Sequence, residues 1–245
     1  MNTCLANAQA VFDLARGYTL SAGLAAEVDW QRSTDFASFS ETQLLRETAW
    51  VILCSGFREA IVRRIFDHIS LCFLDWESAA QILENRDICV KAAMDSLRNE
   101  AKLNAIAACA ERIANVGFES LKEAVIRDPI PELQKFPFIG PITVWHLAKN
   151  LGLNVAKPDR HLARLASRCG YPSAGALCED IANRNNEEIK VVDLILWRFL
   201  ADNPGLPFAH AADGIGMTNQ PTSLAPPPCQ PPGAAHLQPA NPLTH

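Results

Sequence analysis

The chain has 245 residues and a formal net charge of −5, with 49% hydrophobic and 20% charged residues. This balance is typical of a globular protein with a sizeable core, which excludes a wholly disordered chain and argues against a strongly basic nucleic-acid binder. The apolar stretch 191–201 is interrupted by Asp193 and Arg198 and is too short to span a bilayer. We therefore expect a soluble, intracellular protein.

The first 40 residues predict little regular structure. A helix is predicted over 4–16, with Gly17 as its stop, and the polar stretch that follows has no clear periodicity. Eight cysteines are scattered along the chain without a Cys-x-x-Cys spacing, which predicts reduced, buried core residues rather than a metal or redox motif. We interpret residues 1–40 as a partly helical N-terminal segment.

The rest of the chain predicts one all-α domain and a tail. Apolar residues recur at helical spacing over 41–205, first in helices at 41–54 and 58–73, and no period-two strand pattern occurs. The segment 206–245 is rich in proline and has few residues to bury, so a disordered tail is predicted there.

Residues 131–151 predict two short helices joined by a tight turn, which we call the hairpin. Pro137 and Gly140 punctuate the turn, and an apolar stripe that begins at Val144 with helical spacing marks the second helix. The turn amides and the N-terminus of that helix can bind a phosphate, because these N–H groups have no intrahelical partner. The hairpin is therefore a candidate DNA-binding element.

The hairpin and the segment after it resemble a known family. The sequence Phe136-Pro-Phe-Ile-Gly-Pro-Ile-Thr143 is followed by Lys157-Pro-Asp-Arg-His161, as in the HhH-GPD superfamily of DNA glycosylases. Asp159 lies 17 residues after Ile142, a separation similar to that between the hairpin lysine and the aspartate of the family. The resemblance implies an all-α helix-hairpin-helix glycosylase fold. It also implies base-excision repair, in which a damaged or mispaired base is flipped from double-stranded DNA and its N-glycosidic bond is hydrolysed.

Asp159 is the catalytic candidate. A carboxylate can stabilise the oxocarbenium-like transition state of glycosidic cleavage and can orient water. The alternative is an ordinary helix N-cap, and both roles are compatible if the cap leaves one oxygen free. Family members with lyase activity use a lysine where this chain has Ile142. The resemblance therefore implies a monofunctional enzyme, although Lys149 and Lys157 remain as alternative amines.

The resemblance also implies DNA contacts and cofactors. Between 135 and 168 six basic residues stand against Asp159 alone, which predicts a basic face on an acidic protein. Phe138 stands where such hairpins usually have their first glycine, so a looser grip on DNA is expected while the turn persists. A monovalent cation at the hairpin is the one ion expected, without an iron–sulfur cluster or other metal. The DNA-binding candidates are Phe138, Gly140, Ile142, Thr143, Lys149, Lys157, Arg160 and His161.

Two further positions follow from the resemblance. In the family the turn that matches residues 55–57 inserts a side chain into the duplex, so Phe57 and Arg58 are wedge candidates. The alternative for Phe57 is packing under the turn. Flipped bases need flat apolar surfaces, which makes Trp50 and Trp145 base-pocket candidates.

Other interpretations remain open at the level of sequence. A non-catalytic helix-hairpin-helix module would bind DNA with Asp159 acting only as a cap. An all-α interaction scaffold without nucleic acid would suit the acidic charge. For a glycosylase, the excised base is open among alkylated purines, oxidised guanine and mismatched thymine or uracil. We expect a monomer in the cytoplasm and nucleoid, or in the nucleus of a eukaryote.

Overall fold

The computed structural model describes the backbone of residues 2–204 and the side chains of residues 8–204. Every regular element within the described backbone is helical, which confirms the all-α class. None of these helices is long and apolar enough to cross a lipid bilayer. The predicted tail, 206–245, lies outside the described residues.

Thirteen α-helices follow one another in the described part of the chain. A single 3-10 turn, Leu74–Trp76, separates the fourth from the fifth. The helices are α1 (Asn2–Ser21), α2 (Ala25–Ser33), α3 (Glu41–Cys54), α4 (Glu59–Cys72), α5 (Ala79–Glu84), α6 (Arg86–Ala93), α7 (Glu100–Val116), α8 (Phe118–Arg127), α9 (Pro129–Leu133), α10 (Thr143–Asn150), α11 (Arg160–Arg168), α12 (Ala174–Asn185) and α13 (Ile189–Asp202).

Local sequence explains many of these boundaries. The Ser40 hydroxyl accepts a hydrogen bond from the Gln43 amide at 3.1 Å, and the Gln43 side chain accepts one from the Ser40 amide at 2.8 Å. This capping box begins α3. Asn99 caps α7 through the Lys102 amide, and Gly117, with a φ of 82°, ends it. The helices predicted after residue 40 are found within a few residues of their predicted bounds.

The N-terminal segment is more regular than its sequence predicts. Helix α1 continues through Gly17, and α2 occupies part of the polar stretch. Phe12 and Ala15 are fully buried in a cluster shared with the C-terminal helices, because α1 packs against α12 and α13. Tertiary packing thus outweighs a weak local signal. The partly helical segment predicted over 1–40 packs against the C-terminal helices.

Two hydrophobic clusters form the core. The larger cluster extends from Phe39 to Leu151, and the smaller one combines α1 with α11, α12 and α13. An ion network joins α2, α4 and α13: Arg198 forms salt bridges with Glu27 and Glu59. Arg63 pairs with the same two carboxylates. These four partly buried charges tie the two clusters together at one edge of the candidate site.

The prediction that the cysteines are buried core residues is confirmed for four of the six whose side chains the structure describes. Cys89, Cys109, Cys169 and Cys178 are buried, whereas Cys54 and Cys72 are half-buried. Burial raises the pKa of the Cys54 thiol to about 12, so the thiol stays protonated at neutral pH. Cys54 therefore lacks the thiolate that a cysteine nucleophile needs.

Candidate active-site cleft

A cleft of about 1280 Å³ opens between the two hydrophobic clusters. Its walls come from α2, α3, α4, α10 and α13, from the turn 55–58, and from the segment that leads into α11. The cleft brings together residues that are far apart in the sequence. Ten of the predicted site residues line it, namely Trp50, Phe57, Arg58, Ile142, Thr143, Lys149, Lys157, Asp159, Arg160 and His161.

Asp159 is the N-cap of α11. Its Oδ1 accepts hydrogen bonds from the amides of His161 at 2.9 Å and Leu162 at 3.0 Å. Within the described residues, Oδ2 accepts none. The carboxylate is therefore fixed in orientation by the helix while its second oxygen remains for a ligand or a water molecule. Capping and catalysis are compatible in this arrangement, as the sequence allows.

Lys157 provides an amine two residues before Asp159. Its side chain is half-buried, and its ammonium group makes no ion pair with any residue that the structure describes. The backbone amide of Lys157 donates a hydrogen bond to Asp193 Oδ1 at 2.7 Å, which anchors the segment. Burial lowers the pKa of Lys157, and the nearby charge of Asp159 partly offsets that effect.

Lys149 differs from its prediction as a charge facing solvent or phosphate. Its side chain is 6% exposed and pairs with Asp193, whose side chain is 1% exposed. A phosphate-contacting role is therefore wrong for Lys149 in this structure. The sequence analysis did not assign Asp193 a role in the site, although a carboxylate flanked by apolar residues on both sides in α13 is a signal that could have identified it.

The predicted basic face is correspondingly smaller. Lys149 is neutralised by Asp193, and the exposed Lys135 pairs with Glu132 at 2.5 Å. The cationic groups at the mouth of the cleft come from the turn 55–58 and from the start of α11. They are Arg58, Lys157 and Arg160, of which the two arginines are exposed.

The hairpin turn keeps its shape despite Phe138. This residue has a φ of 62°, in the left-handed region that glycine adopts at least cost. The Gly140 amide donates to Thr143 Oγ1 at 2.7 Å, so it is not available to a phosphate, contrary to expectation. The amides of Ile142 and Thr143 have no partner among the described residues and stay available. Phe138 and Gly140 lie on the turn outside the cleft lining.

Phe57 is predicted either to act as a wedge in the duplex or to pack under the turn 55–58, and its position is compatible with both. The ring packs against the larger core cluster and also lines the cleft. Gly56, with a φ of 82°, makes the sharp turn that precedes it. Arg58 is exposed at the start of α4. Both residues remain wedge candidates.

The aromatic surfaces of the cleft differ partly from prediction. Trp50 lines the cleft and packs edge-on against Phe66, with ring centroids 5.0 Å apart. Trp145 is half-buried against the larger core cluster and is not among the residues that line the cleft, so its role as a base-pocket residue stays a prediction. Trp30 and Trp197 line it instead. Trp197 follows Asp193 by four residues, which places both on one face of α13; Trp30 lies in a stretch without a usable periodicity.

Three polar side chains that the sequence analysis missed line the inner part of the cleft: Gln31, Glu47 and Asn150. Asn150 donates to Glu47 Oε2 at 2.8 Å, and Gln31 donates to the Lys149 carbonyl at 3.0 Å. Gln31 Oε1 is buried and has no hydrogen-bond partner among the residues that the structure describes. Burial raises the pKa of Glu47, with Arg46 and Asn150 acting in the opposite direction. Buried amide and carboxyl groups of this kind can form specific hydrogen bonds with the polar edge of a ligand.

His146 lies in the same wall of the cleft. Burial lowers its pKa, and the positive charges of Lys157, Lys149 and Arg198 act in the same direction. The imidazole is therefore neutral at physiological pH. In that form one ring nitrogen can donate a hydrogen bond while the other accepts one.

Comparison with protein-family models, with curated proteins and with solved structures finds no match for this chain. The resemblance to the glycosylases thus depends on residues 136–143 and 157–161. Both segments contribute to the cleft that Asp159 lines.

Proposed function

We propose that the protein is a DNA glycosylase of base-excision repair with an HhH-GPD-like fold. It flips a damaged or mispaired base out of double-stranded DNA and hydrolyses the N-glycosidic bond. The observation that carries the proposal is the geometry of Asp159. One carboxylate oxygen is held by two amides of α11 and the other is unshared, in a cleft bordered by the start of α10 and by the turn 55–58.

In the proposed reaction the bond between sugar C1′ and the base nitrogen breaks. The nitrogen keeps the electron pair and takes a proton from solvent, so an uncharged base leaves as a neutral molecule, and the proton that Asp159 accepts from water is returned to solvent. Asp159 stabilises the positive charge that develops on the sugar and accepts a proton from the water that bonds to C1′. The fixed orientation of the carboxylate supports this role, because no reorganisation is needed as the charge appears.

The surrounding residues have complementary roles in the proposal. The Ile142 and Thr143 amides, with Arg160, bind DNA phosphates. Phe57 or Arg58 fills the gap left by the flipped nucleotide. The flipped base stacks on the tryptophans of the cleft, namely Trp30, Trp50 and Trp197.

The enzyme is proposed to be monofunctional. Ile142 places an apolar side chain where a lyase of this type has its amine, and water is then the nucleophile. Lys149 is held in its buried pair with Asp193. Lys157 is the cleft lysine without an ion pair among the described residues, and it is the residue to substitute if strand cleavage is observed.

The test is a strand-scission assay on duplexes that carry a panel of lesions, with and without hot alkali. Wild type should give product only after alkali, and Asp159→Asn should give none. Asparagine is the matched variant because its amide oxygen can still accept the two capping hydrogen bonds. Nicking without alkali would contradict monofunctional chemistry, and its loss in Lys157→Met would identify the amine.

A non-catalytic DNA-binding module is the second candidate. It is favoured by the capping bonds of Asp159, which a purely structural role explains. Salt-sensitive duplex binding, with no product from any lesion, would support the module over the enzyme.

A further inference from the structure

Lys102 of α7 contacts the turn at the end of α3. Its Nζ donates hydrogen bonds to the backbone carbonyls of Ile52, Leu53 and Ser55. The residue is 5% exposed, and its ammonium group has no carboxylate partner within the described part of the chain. A buried cation therefore closes the C-terminal end of α3 directly before the turn 55–58.

The same ammonium group faces two aromatic rings. Nζ lies 4.9 Å from the ring centroid of Phe57 and 6.0 Å from that of Phe138. Phe57 belongs to the turn 55–58, whereas Phe138 is 47% exposed on the hairpin turn. Both distances are within the range of cation–π attraction. One charge therefore links the two turns that flank the cleft.

This position is costly for a lysine. Burial lowers the pKa of Lys102, which reflects the loss of hydration of the charged form. The carbonyls at the end of α3 offset part of that cost, because those of Leu53 and Ser55 accept no backbone hydrogen bond within the described residues and the end of α3 is the negative end of the helix dipole. An unbranched apolar side chain would avoid the cost of burying the charge but would leave the three carbonyls without this donor. The ammonium group therefore caps the end of α3 and faces the two rings at the same time.

We propose that Lys102 is a positioning residue that holds Phe57 and Phe138 as one unit, so that both rings engage the duplex together when a nucleotide is flipped. This inference rests on the proposed function, in which Phe57 fills the gap in the stack. Phe138 then contacts the strand bound by the hairpin. Without the shared ammonium, each turn would move independently and the distorted duplex would be held less firmly.

The test measures duplex distortion without bond cleavage. A tetrahydrofuran abasic analogue is placed opposite 2-aminopurine, whose fluorescence rises when it is unstacked, and the full-length protein is added. Lys102→Met should reduce the affinity for the distorted state by about 5- to 30-fold, because the substitution removes both cation–π interactions. Lys102→Arg retains the charge and should recover most of the signal. Recovery of this kind is not expected if Lys102 only fills space.

Lys122→Met is the matched control. Lys122 also faces two phenylalanine rings, Phe39 at 5.4 Å and Phe118 at 5.8 Å, but neither ring belongs to the turn 55–58 or to the hairpin turn. Its substitution should leave the fluorescence response unchanged. A folded Lys102→Met protein with the wild-type response would overturn the inference.

A second experiment applies if Lys102→Met does not fold. Phe57→Leu and Phe138→Leu remove only half-buried or exposed rings, and they are combined in a double-mutant cycle. If the rings act as one unit, the double variant loses no more response than the more severe single variant. Additive losses would overturn the inference.

The inference and the proposed function fail in different ways. A wild-type protein that excises a base without changing 2-aminopurine fluorescence would contradict the role proposed for Lys102. The proposed glycosylase function would be unaffected. A protein that gives the Lys102-dependent response but excises no base would support Lys102 positioning and contradict the glycosylase.

Discussion

The ammonium group of Lys149 pairs with the carboxylate of Asp193 in the wall of the cleft. The pair connects α10 to α13 and so joins the two hydrophobic clusters. Asp193 also accepts the amide hydrogen of Lys157, which fixes the chain just before Asp159. The position of the candidate catalytic carboxylate thus depends on a buried ion pair formed by residues distant in sequence.

Removing one member of this pair should be far more harmful than removing both. Lys149→Met should lower the free energy of unfolding by about 3–5 kcal/mol, because Asp193 is left buried and unpaired. The Lys149→Met/Asp193→Leu double variant should be less destabilised, and urea unfolding measures both. A Lys149→Met protein of wild-type stability but weaker, less salt-sensitive DNA binding would indicate a surface phosphate contact instead.

Two substitutions of Asp159 should separate capping from catalysis. Asp159→Asn should keep stability close to wild type, whereas Asp159→Ala should lose about 1 kcal/mol through the missing cap. Excision should fall by about 100-fold or more in both, because neither side chain carries the negative charge. Thermal unfolding and single-turnover excision measure the two effects. Excision retained in Asp159→Asn would reduce Asp159 to a cap.

Neutralising the mouth of the cleft should weaken DNA binding in a salt-dependent way. In an Arg58→Gln/Lys157→Gln/Arg160→Gln variant, the slope of log affinity against log salt should become shallower by about 0.9 for each phosphate that is no longer neutralised. The matched control removes three exposed charges away from the cleft, Lys91, Arg98 and Arg127. Equal losses of affinity in both variants would point to non-specific attraction rather than an interface at the cleft.

Glu47 should make stability depend on pH. Because burial raises its pKa, the folded protein binds this proton more tightly than the unfolded chain does. Its contribution to stability therefore falls as pH rises from the unfolded towards the folded pKa. Glu47→Gln should be more stable than wild type at pH 7, and the difference should shrink to nothing as pH falls below about 4, where Glu47 becomes protonated in both the folded and the unfolded chain. Thermal unfolding of both proteins across this pH range measures the difference in stability. A difference that grows on acidification would contradict a raised pKa for Glu47.

Two glycines should respond oppositely to alanine. Gly152 has a φ of +105°, and a Cβ there would lie 2.6 Å from the Phe36 backbone nitrogen. Gly152→Ala should therefore cost more than about 2 kcal/mol, from strain and from the clash. Gly17 lies exposed within α1 with nothing near a new Cβ, so Gly17→Ala should stabilise by about 0.5–1 kcal/mol. Chemical unfolding measures both, and a neutral Gly152→Ala would show that the turn after α10 can move away from residue 36.

Prediction from sequence succeeded for features that act within one or two helical turns. The helices predicted at 41–54 and 58–73 are found at Glu41–Cys54 and Glu59–Cys72, because helical periodicity depends on neighbours in the chain. Asp159 belongs to the same class, since its capping bonds reach only His161 and Leu162. The all-α class follows from such local signals.

The sequence by itself thus determined the helices after residue 40 and the N-cap position of the candidate carboxylate, because hydrogen bonds and periodicity within a helix are local. Only the tertiary structure decided which charges and rings face the cleft. Lys149 is buried against Asp193 while Lys157 stays unpaired in the described structure, and Trp145 packs half-buried against the larger core cluster while Trp197 faces the cleft. The physical reason is that burial and charge pairing depend on the packing of α13, which follows these lysines by more than thirty residues.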